Sequence, residues 1–246
     1  MRVDAYLGGQ VHIAQPAQGY RAGTDPVLVA AAVPAQAGDR VLELGCGVGT
    51  ALACLAARVP GLHCTGVERV ASLASYAARN LPDAQIVTAD LTDLPGVVRA
   101  ATYQHVLMNP PYQPSHAPAA PNPTRDQANR EDTPLAQWFD CAARRCAPGG
   151  SITVILPTWR LGEVLAGFAG RCGDITVLPL SPRPGQPAQR VISQARKGRA
   201  GPLRLLAPLV LHQGESHAED AGAFSSAAEE VLRRGAALRM SRSLDT

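Results

Sequence analysis

The segment Asn109-Pro110-Pro111-Tyr112 combines groups that can orient a planar amino or amide group. It follows a short apolar run, residues 105–108, that predicts a buried strand. Neither proline has an N–H, and each restricts the residue before it to extended conformations, so the segment is stiff. The Asn109 side-chain oxygen and the Pro110 carbonyl can accept two N–H protons, and Tyr112 offers a ring for stacking. A tight turn that closes a strand is the alternative, and the segment alone leaves both interpretations open.

A glycine-rich turn upstream favours the chemical interpretation. Glycines at positions 45, 47 and 49 follow a predicted strand, and glycine permits a tight turn and a close approach of ligand to backbone. A dinucleotide-binding turn needs glycine at position 50, where this chain has Thr50. The pattern Glu43-x-Gly45-x-Gly47-x-Gly49 instead is similar to the first motif of methyltransferases that use S-adenosylmethionine.

Two acidic residues follow at the ends of the next predicted strands. Glu68 lies 19 residues after Gly49, and a carboxylate there can accept hydrogen bonds from both hydroxyls of a ribose. The pair Ala89-Asp90 ends the third strand, where a side-chain acceptor and the backbone can contact an adenine. Each acid alone could be a helix cap, but the three features in register favour a cofactor site.

Alternating strands and helices must position these residues. Strands are predicted at 40–44, 64–68, 85–89, 105–108, 151–156 and 175–180, with helices at 27–33, 51–58, 70–80, 134–146 and 160–170. This alternation predicts a parallel sheet covered by helices on both faces, with ligands at the carboxyl ends of the strands. Residues 190–195 and 203–211 predict a late antiparallel pair, and residues 224–240 a C-terminal helix.

The predicted domain organisation is one domain over residues 1–246. Its additions are an N-terminal flap and helix (1–38), a substrate loop (113–132) and a basic hairpin (181–214). Asp25 is predicted to cap the first helix, with Pro26 in its first turn. A composition of 46% hydrophobic and 17% charged residues supports one sizeable core.

Composition also limits the classes of function. No apolar run is long enough to span a bilayer and the N-terminus is polar, so a cytoplasmic protein without a membrane is expected. The six cysteines form no Cys-x-x-Cys pair and have no histidine at zinc spacing, which favours reduced, buried thiols and no metal.

Positive charge is concentrated late in the chain. The net charge is +3, but residues 181–214 contain six cations and no acid. This segment is either a solvated basic hairpin or a surface that faces phosphates, and we slightly favour the second. Aromatic residues make up 4% of the chain, so a platform that stacks several bases is not expected.

Taken together, the chain resembles class I methyltransferases of the Asn-Pro-Pro-Tyr type, and more closely the bacterial tRNA(Val) adenine-N6 methyltransferase group. Members of that group are sometimes named predicted O-methyltransferases. Gly23-Thr24-Asp25 resembles the group's lead-in to the cofactor site. Thr124-Arg125-Asp126-Gln127-Ala128 resembles part of its loop, and Arg190-Val191 resembles the start of a late strand. The loop is richer in Pro and Ala than expected, and residues 196–204 carry extra basic residues, which bears on the RNA recognised.

The resemblance implies a fold, a cofactor and a set of site residues. The fold is Rossmann-like α/β, a mostly parallel seven-stranded sheet with a late antiparallel strand pair. S-adenosylmethionine would be bound by Thr24, Asp25, Glu43, Gly45, Cys46, Gly47, Gly49, Glu68, Arg69, Ala89, Asp90 and Asn109. Catalysis would involve Asn109, Pro110 and Tyr112. RNA would contact Pro111, Arg125, Arg130, Arg190, Arg196, Lys197 and Arg199.

The implied reaction methylates the exocyclic N6 amino group of an adenine in RNA, with tRNA favoured. A protein glutamine is the first alternative, but enzymes of that kind carry a helical domain before the glycine turn, and here 44 residues precede Gly45. A small-molecule O-methyltransferase usually needs a metal or a histidine base. His105 is predicted to be packed and His116 solvated. A binding module without activity is disfavoured because Asn109 and Tyr112 are intact. The oligomeric state is left open.

Overall fold

A central sheet of alternating strands and helices carries the predicted motifs. The computed structural model describes residues 1–19, 21–112, 132–214 and 223–240. Seven of the nine strands in this sheet have four or more residues: β3 (Arg40–Leu44), β4 (His63–Glu68), β5 (Gln85–Thr88), β6 (Tyr103–Met108), β7 (Cys146–Pro157), β8 (Cys172–Ser181) and β9 (Arg190–Lys197). Before them, β1 (Arg2–Tyr6) and β2 (Val11–Gln15) form an antiparallel hairpin.

The strand order is β5-β4-β3-β6-β7-β9-β8. The first five are mutually parallel, and β9 is antiparallel to both of its neighbours. This confirms the predicted Rossmann-like fold with seven main strands. The carboxyl ends of β3 to β7 therefore meet along one side of the sheet, which we call the carboxyl edge; the opposite side is the amino edge. Because β9 runs the other way, Arg190 lies at the carboxyl edge opposite Pro157.

The predicted partner of the late strand was wrong. Residues 190–195 do not pair with 203–211; β9 is inserted between β7 and β8. The short strands β10 (Arg204–Leu205) and β11 (Leu209–Val210) instead run parallel to β8. Val191, Ile192 and Ala195 are at most 2% exposed, so β9 is an interior strand that needs partners on both sides. The hairpin turn accordingly lies at residues 182–189, within the predicted basic hairpin but not at its centre.

Helices cover both faces of the sheet and bury separate apolar clusters. They are α1 (Asp25–Ala32), α2 (Thr50–Arg58), α3 (Ala71–Asn80), α4 (Gly96–Arg99), α5 (Leu135–Arg145), α6 (Leu161–Phe168) and α7 (Ser226–Arg234). One cluster is built by α1, α2 and α7, and the other by α5 and α6 with Val98 of α4. The last helix is shorter than predicted, because Gly235 adopts a left-handed conformation (φ +72°) that ends it.

The N-terminal hairpin is fixed to the helical layer through Asn80. Its side-chain oxygen accepts from the Ala14 amide at 2.9 Å, and its amide nitrogen donates to the carbonyls of Ala14 (2.9 Å) and Val48 (2.8 Å). The predicted flap is thus a bound hairpin against α3 and the glycine turn. The predicted cap of α1 is wrong: Thr24 occupies the N-cap position without a side-chain cap, and Asp25 pairs with Arg190 instead.

Residues 113–131 of the predicted substrate loop fall outside the part of the chain that the structure describes. The loop residues Arg125 and Arg130, and His116, lie outside the described residues. Five of the six cysteines are buried, and Cys172 is partly buried. Among the described residues, no helix has the length and apolar character needed to cross a bilayer.

Candidate active site

A cavity lies at the carboxyl edge, between the ends of β3 to β6 and the beginning of α5. Its lining includes seven of the twelve residues predicted for the cofactor: Gly45, Gly47, Glu68, Arg69, Ala89, Asp90 and Asn109. The remaining walls are formed by Val67, Val70, Leu73, Leu91, Pro110, Pro111, Tyr112, Asp132, Thr133 and Trp138. The strand ends therefore bring the glycine turn, both acids and the Asn-Pro-Pro-Tyr corner (residues 109–112) into one site.

The glycine turn depends on Gly45. Its φ is +67°, in the left-handed region that favours glycine, and the turn is closed by the Gly49 amide donating to the Cys46 carbonyl at 2.8 Å. A Cβ on Gly45 would lie 2.6 Å from Cη2 of Trp138. The indole of Trp138 thus packs directly on the turn and forms a wall of the cavity. Trp138 was not among the predicted site residues; its place one turn into α5, the helix that follows the predicted substrate loop, was the available signal.

Glu68 is held rigidly at the end of β4. One carboxylate oxygen accepts from the Gly47 amide and the other from the Val70 amide, both at 2.8 Å. Burial raises the pKa of Glu68, and these two hydrogen bonds act against that shift. Each oxygen keeps a lone pair that can accept a hydroxyl, so the carboxylate is pre-positioned for a diol.

Asp90 adopts a different local structure at the end of β5. One of its oxygens accepts from the Thr92 hydroxyl at 2.7 Å and from the Thr92 amide at 2.8 Å. These bonds lower the pKa of Asp90, so the side chain is ionised at neutral pH. An ionised acceptor on the cavity wall suits an amino group such as that of an adenine.

Five predicted cofactor ligands do not line the cavity. Three of them, Glu43, Cys46 and Gly49, lie in or beside the glycine turn. Glu43 is 3% exposed and accepts from the Leu52 amide at 3.3 Å, so it supports the first turn of α2 from beneath. Cys46 is buried against Gly66, where an added Cβ would lie 2.8 Å from the Cys46 sulfur. Glu43 and Cys46 therefore support the glycine turn from the protein interior and do not face the cavity.

We expect Glu43→Gln to stabilise the fold at alkaline pH. Burial holds the pKa of Glu43 well above its usual range. At pH values between the pKa in the unfolded chain and the pKa in the folded protein, Glu43 is therefore protonated when folded and ionised when unfolded. Stability then falls as pH rises above about 4.3, the usual glutamate value. Glutamine removes this dependence and still accepts from Leu52, for a gain on the order of 1 kcal/mol or about 2–4 °C at pH 8. Thermal unfolding at pH 5 and pH 8 checks this; an equal effect at both pH values contradicts it.

A second, wider groove begins on the other side of the Asn-Pro-Pro-Tyr corner. It lies between the N-terminal hairpin, the start of α1 and α7, and it shares Asn109 and Tyr112 with the first cavity. Its polar and aromatic lining includes Asp4, Tyr6, Arg21, Thr24, Asp25, Phe224 and Arg233. Thr24 and Asp25, predicted as cofactor ligands, line this groove and not the first cavity. Asn109 and Tyr112 thus stand between two spaces.

Arg190 connects Asp25 to Tyr112. Its Nε donates to the Asp25 carboxylate at 3.2 Å and its Nη2 donates to the Tyr112 hydroxyl at 3.3 Å. The guanidinium also lies 5.0 Å from the centroid of the Tyr112 ring. A planar fork that bonds two groups fixes the direction of each. Arg190, predicted to bind RNA, is therefore placed to orient Tyr112.

The cavity and the groove do not include three further residues predicted to contact RNA: Arg196, Lys197 and Arg199. Arg196 and Lys197 end β9 at the amino edge, where they donate to the carbonyls of Gly149 (3.1 Å) and Cys146 (2.7 Å). Arg199 follows them. At about 3.3 Å per residue, Lys197 lies roughly 23 Å along the strand from Arg190. The strand carries its two ends to opposite edges of the sheet, so Arg190 lies apart from Arg196 and Lys197. Contact of Arg196, Lys197 and Arg199 with RNA stays a prediction.

His105 is packed, as predicted. Its two ring nitrogens lie 2.7 Å from the Ser151 hydroxyl and 3.1 Å from the Asp39 carboxylate, toward the amino edge. Burial lowers the pKa of His105. No histidine is found in the lining of the cavity or the groove over the part of the chain that the structure describes.

The cavity has the features that S-adenosylmethionine requires. Glycine backbone after β3 lines the cavity without a side chain of its own, a fixed carboxylate ends β4 for the ribose, and Asp90 follows β5 for the adenine. With the seven main strands of the sheet, this site defines a class I S-adenosylmethionine-dependent methyltransferase. Residues 41–122 match the methyltransferase domain family.

Comparison with known proteins identifies the family within this class. The chain is 31% identical over 218 residues to the tRNA1(Val) (adenine(37)-N6)-methyltransferase of Dickeya chrysanthemi, covering 84% of this chain and 85% of that protein. It is 30% identical to the enzyme of that name from Yersinia pseudotuberculosis, with coverage of 78% and 79%. The chain belongs to this methyltransferase family. The crystal structure of a predicted O-methyltransferase, Atu636 from Agrobacterium tumefaciens, has a TM-score of 0.71 and 26% identity, covering 87% of this chain and 98% of that one.

Proposed function

We propose that this protein transfers a methyl group from S-adenosylmethionine to the exocyclic N6 of an adenine in RNA, with tRNA as the substrate. The observation that carries the proposal is the position of Asn109 and Tyr112, which line both the cofactor cavity and the groove. An acceptor in the groove would meet the cofactor only at this corner. The activity for which the relatives are named, adenine-N6 methylation of a tRNA, supports the same acceptor.

The corner supplies positioning rather than a strong base. The lone pair of an aromatic amine is delocalised into the ring, which makes the nitrogen a weak nucleophile. The Asn109 side-chain oxygen and the Pro110 carbonyl would accept its two protons, favour a pyramidal nitrogen and direct the lone pair toward the cofactor cavity. S-adenosylmethionine supplies an electrophilic methyl group. The product loses its proton readily, so the required stabilisation is electrostatic and geometric.

Recognition of the base would fall to Tyr112 and the groove. Pro111 and Tyr112 are partly exposed, and Tyr112 lines both spaces, so the phenol ring is available for stacking. An adenine within a duplex cannot reach this corner, so the substrate is a looped, single-stranded or flipped nucleotide. The cations Arg21 and Arg233 on the groove walls are suitably placed for its phosphates.

The proposal is tested by offering labelled S-adenosylmethionine with three separate acceptors: unmodified total tRNA, ribosomal RNA and a protein extract. The labelled product is then identified by mass spectrometry. We expect N6-methyladenosine in tRNA. Label found only as methylglutamine would mean that the corner acts on an amide in a protein, and label on an oxygen atom of either RNA would overturn nitrogen methylation.

Replacing Arg190 should reduce catalysis more than folding. We expect Arg190→Ala to lower kcat about tenfold and to raise KM for RNA, because Tyr112 loses the group that fixes its ring. Arg190→Lys keeps the charge but not the fork, so it should recover little of the lost rate. Steady-state kinetics with thermal unfolding as a control checks this. Wild-type kcat in the alanine variant would show that the contact to Tyr112 has no catalytic consequence.

A further inference from the structure

Trp159 is an exposed aromatic residue that the site described above does not use. Its side chain is 65% exposed, and it lies in the short turn Thr158–Arg160 that directly follows β7. A tryptophan has a large apolar surface that is normally buried in a core or against a partner. Most other exposed large apolar residues of the described chain are aliphatic, which makes this ring distinctive.

The turn that carries Trp159 is held on both sides. Before it, the Thr158 amide donates to the Gln189 carbonyl at 3.1 Å and the Thr158 hydroxyl donates to the Ala188 carbonyl at 2.8 Å. After it, Arg160 is 3% exposed and pairs with both oxygens of Glu163, at 2.9 and 2.6 Å. The Arg160 guanidinium lies 5.7 Å from the Trp159 ring centroid. The ring is thus exposed on a rigid backbone, which lowers the entropy lost when a partner binds.

The ring also lies on the same edge as the reaction. β7 is the neighbour of β6, whose end carries Asn109, and adjacent strands are about 4.8 Å apart. The last residue of β7, Pro157, pairs with Arg190, which contacts Tyr112. Asn109, Trp159 and Arg190 therefore lie at the carboxyl edge on three consecutive strands. The turn 182–189, bonded to Thr158, carries Arg183 and no acidic residue.

We propose that Trp159 stacks on an unpaired base next to the acceptor adenine. This inference rests on the proposed function and adds a second contact to the RNA beyond the methylated nucleotide. The carboxylate near the ring, that of Glu163, is neutralised by Arg160, and the turn on the other side carries Arg183, which donates to the Gly214 carbonyl at 2.7 Å. A rigid, exposed ring in these surroundings is complementary to a base with its phosphate, and a π-face accepts any base. Trp159 alone would stack on one base, which agrees with the low aromatic content of the chain.

The experiment measures binding of an RNA hairpin with an adenine in its loop. We expect Trp159→Ala to raise Kd about tenfold and Trp159→Phe to restore most of the affinity. The slope of log Kd against log salt should stay unchanged, because no phosphate contact is lost. Val97→Ala, which trims an exposed residue of α4, is the matched control and should bind as the wild type does. Cofactor affinity should be equal in all variants.

A second arm separates stacking from an indirect effect. Replacing the loop nucleotide on either side of the adenine by an abasic site should weaken binding of the wild type about tenfold at one of the two positions, and leave Trp159→Ala unaffected there. Equal affinity of the wild type and Trp159→Ala for the intact hairpin overturns the inference. It is also overturned if an abasic site at either position weakens binding of Trp159→Ala as much as it weakens binding of the wild type. Methylation by the wild type of total tRNA and of a protein extract is followed in parallel. Failure of the proposed function is then seen separately: RNA contains no N6-methyladenosine, and the label appears in protein instead.

Discussion

Asn109→Ala is expected to lower kcat for methyl transfer by about 10²–10³-fold with little change in the affinity for S-adenosylmethionine. The side chain lies at the junction of the two spaces, and its oxygen is one of the two acceptors at the corner. Removing it leaves one amine proton without a partner and the nitrogen less pyramidal. The loss therefore falls on the transition state, whereas the other cofactor contacts remain.

The measurement compares single-turnover methylation with calorimetric binding of the cofactor. Gln104→Ala is a useful control, because Gln104 is an amide near the start of the same strand and accepts from the Arg40 amide at 2.9 Å, away from the corner. It should keep the wild-type rate. Comparable rates in Asn109→Ala and the wild type would exclude the proposed role of the amide, whatever the acceptor is.

Features encoded in short stretches of sequence were predictable. The glycine turn, Glu68, Asp90 and the Asn-Pro-Pro-Tyr corner each follow a strand, and a parallel sheet places such ends along one edge without any long-range information. The structure accordingly brings all four into one cavity. The boundaries of β3 agree with the sequence for the same reason, since a buried apolar strand ends where the glycines begin.

Features that depend on distant pairing were not predictable. Asp25 is 165 positions from Arg190 in sequence, so a cap and an ion pair could not be distinguished locally. The insertion of β9 between β7 and β8 decides that Arg190 reaches the active site while Lys197 reaches the opposite edge. The packing of Trp138 on Gly45 likewise arises from two elements that are separated by three strands in sequence.

Gly45→Ala is expected to abolish cofactor binding and to destabilise the fold by about 2–4 kcal/mol. Two costs add at this position. The residue has φ +67°, which a side chain tolerates poorly, and the new methyl group would meet Cη2 of Trp138 at 2.6 Å. Trp138 is 6% exposed, so the ring has little room to retreat, and relief must come from opening the turn that cradles the cofactor.

Gly149→Ala separates these two costs. Gly149 has a similar φ of +74°, but nothing lies within 4 Å of the position that its Cβ would occupy, so the variant reports backbone strain alone, about 1 kcal/mol. The difference in free energy of unfolding between the two variants then measures the contact with Trp138. Trp138→Leu in the Gly45→Ala background should recover part of the stability by making space. The explanation is wrong if both glycine variants lose equal stability and Gly45→Ala still binds the cofactor. In that case the close packing of Trp138 is not the reason for glycine at position 45.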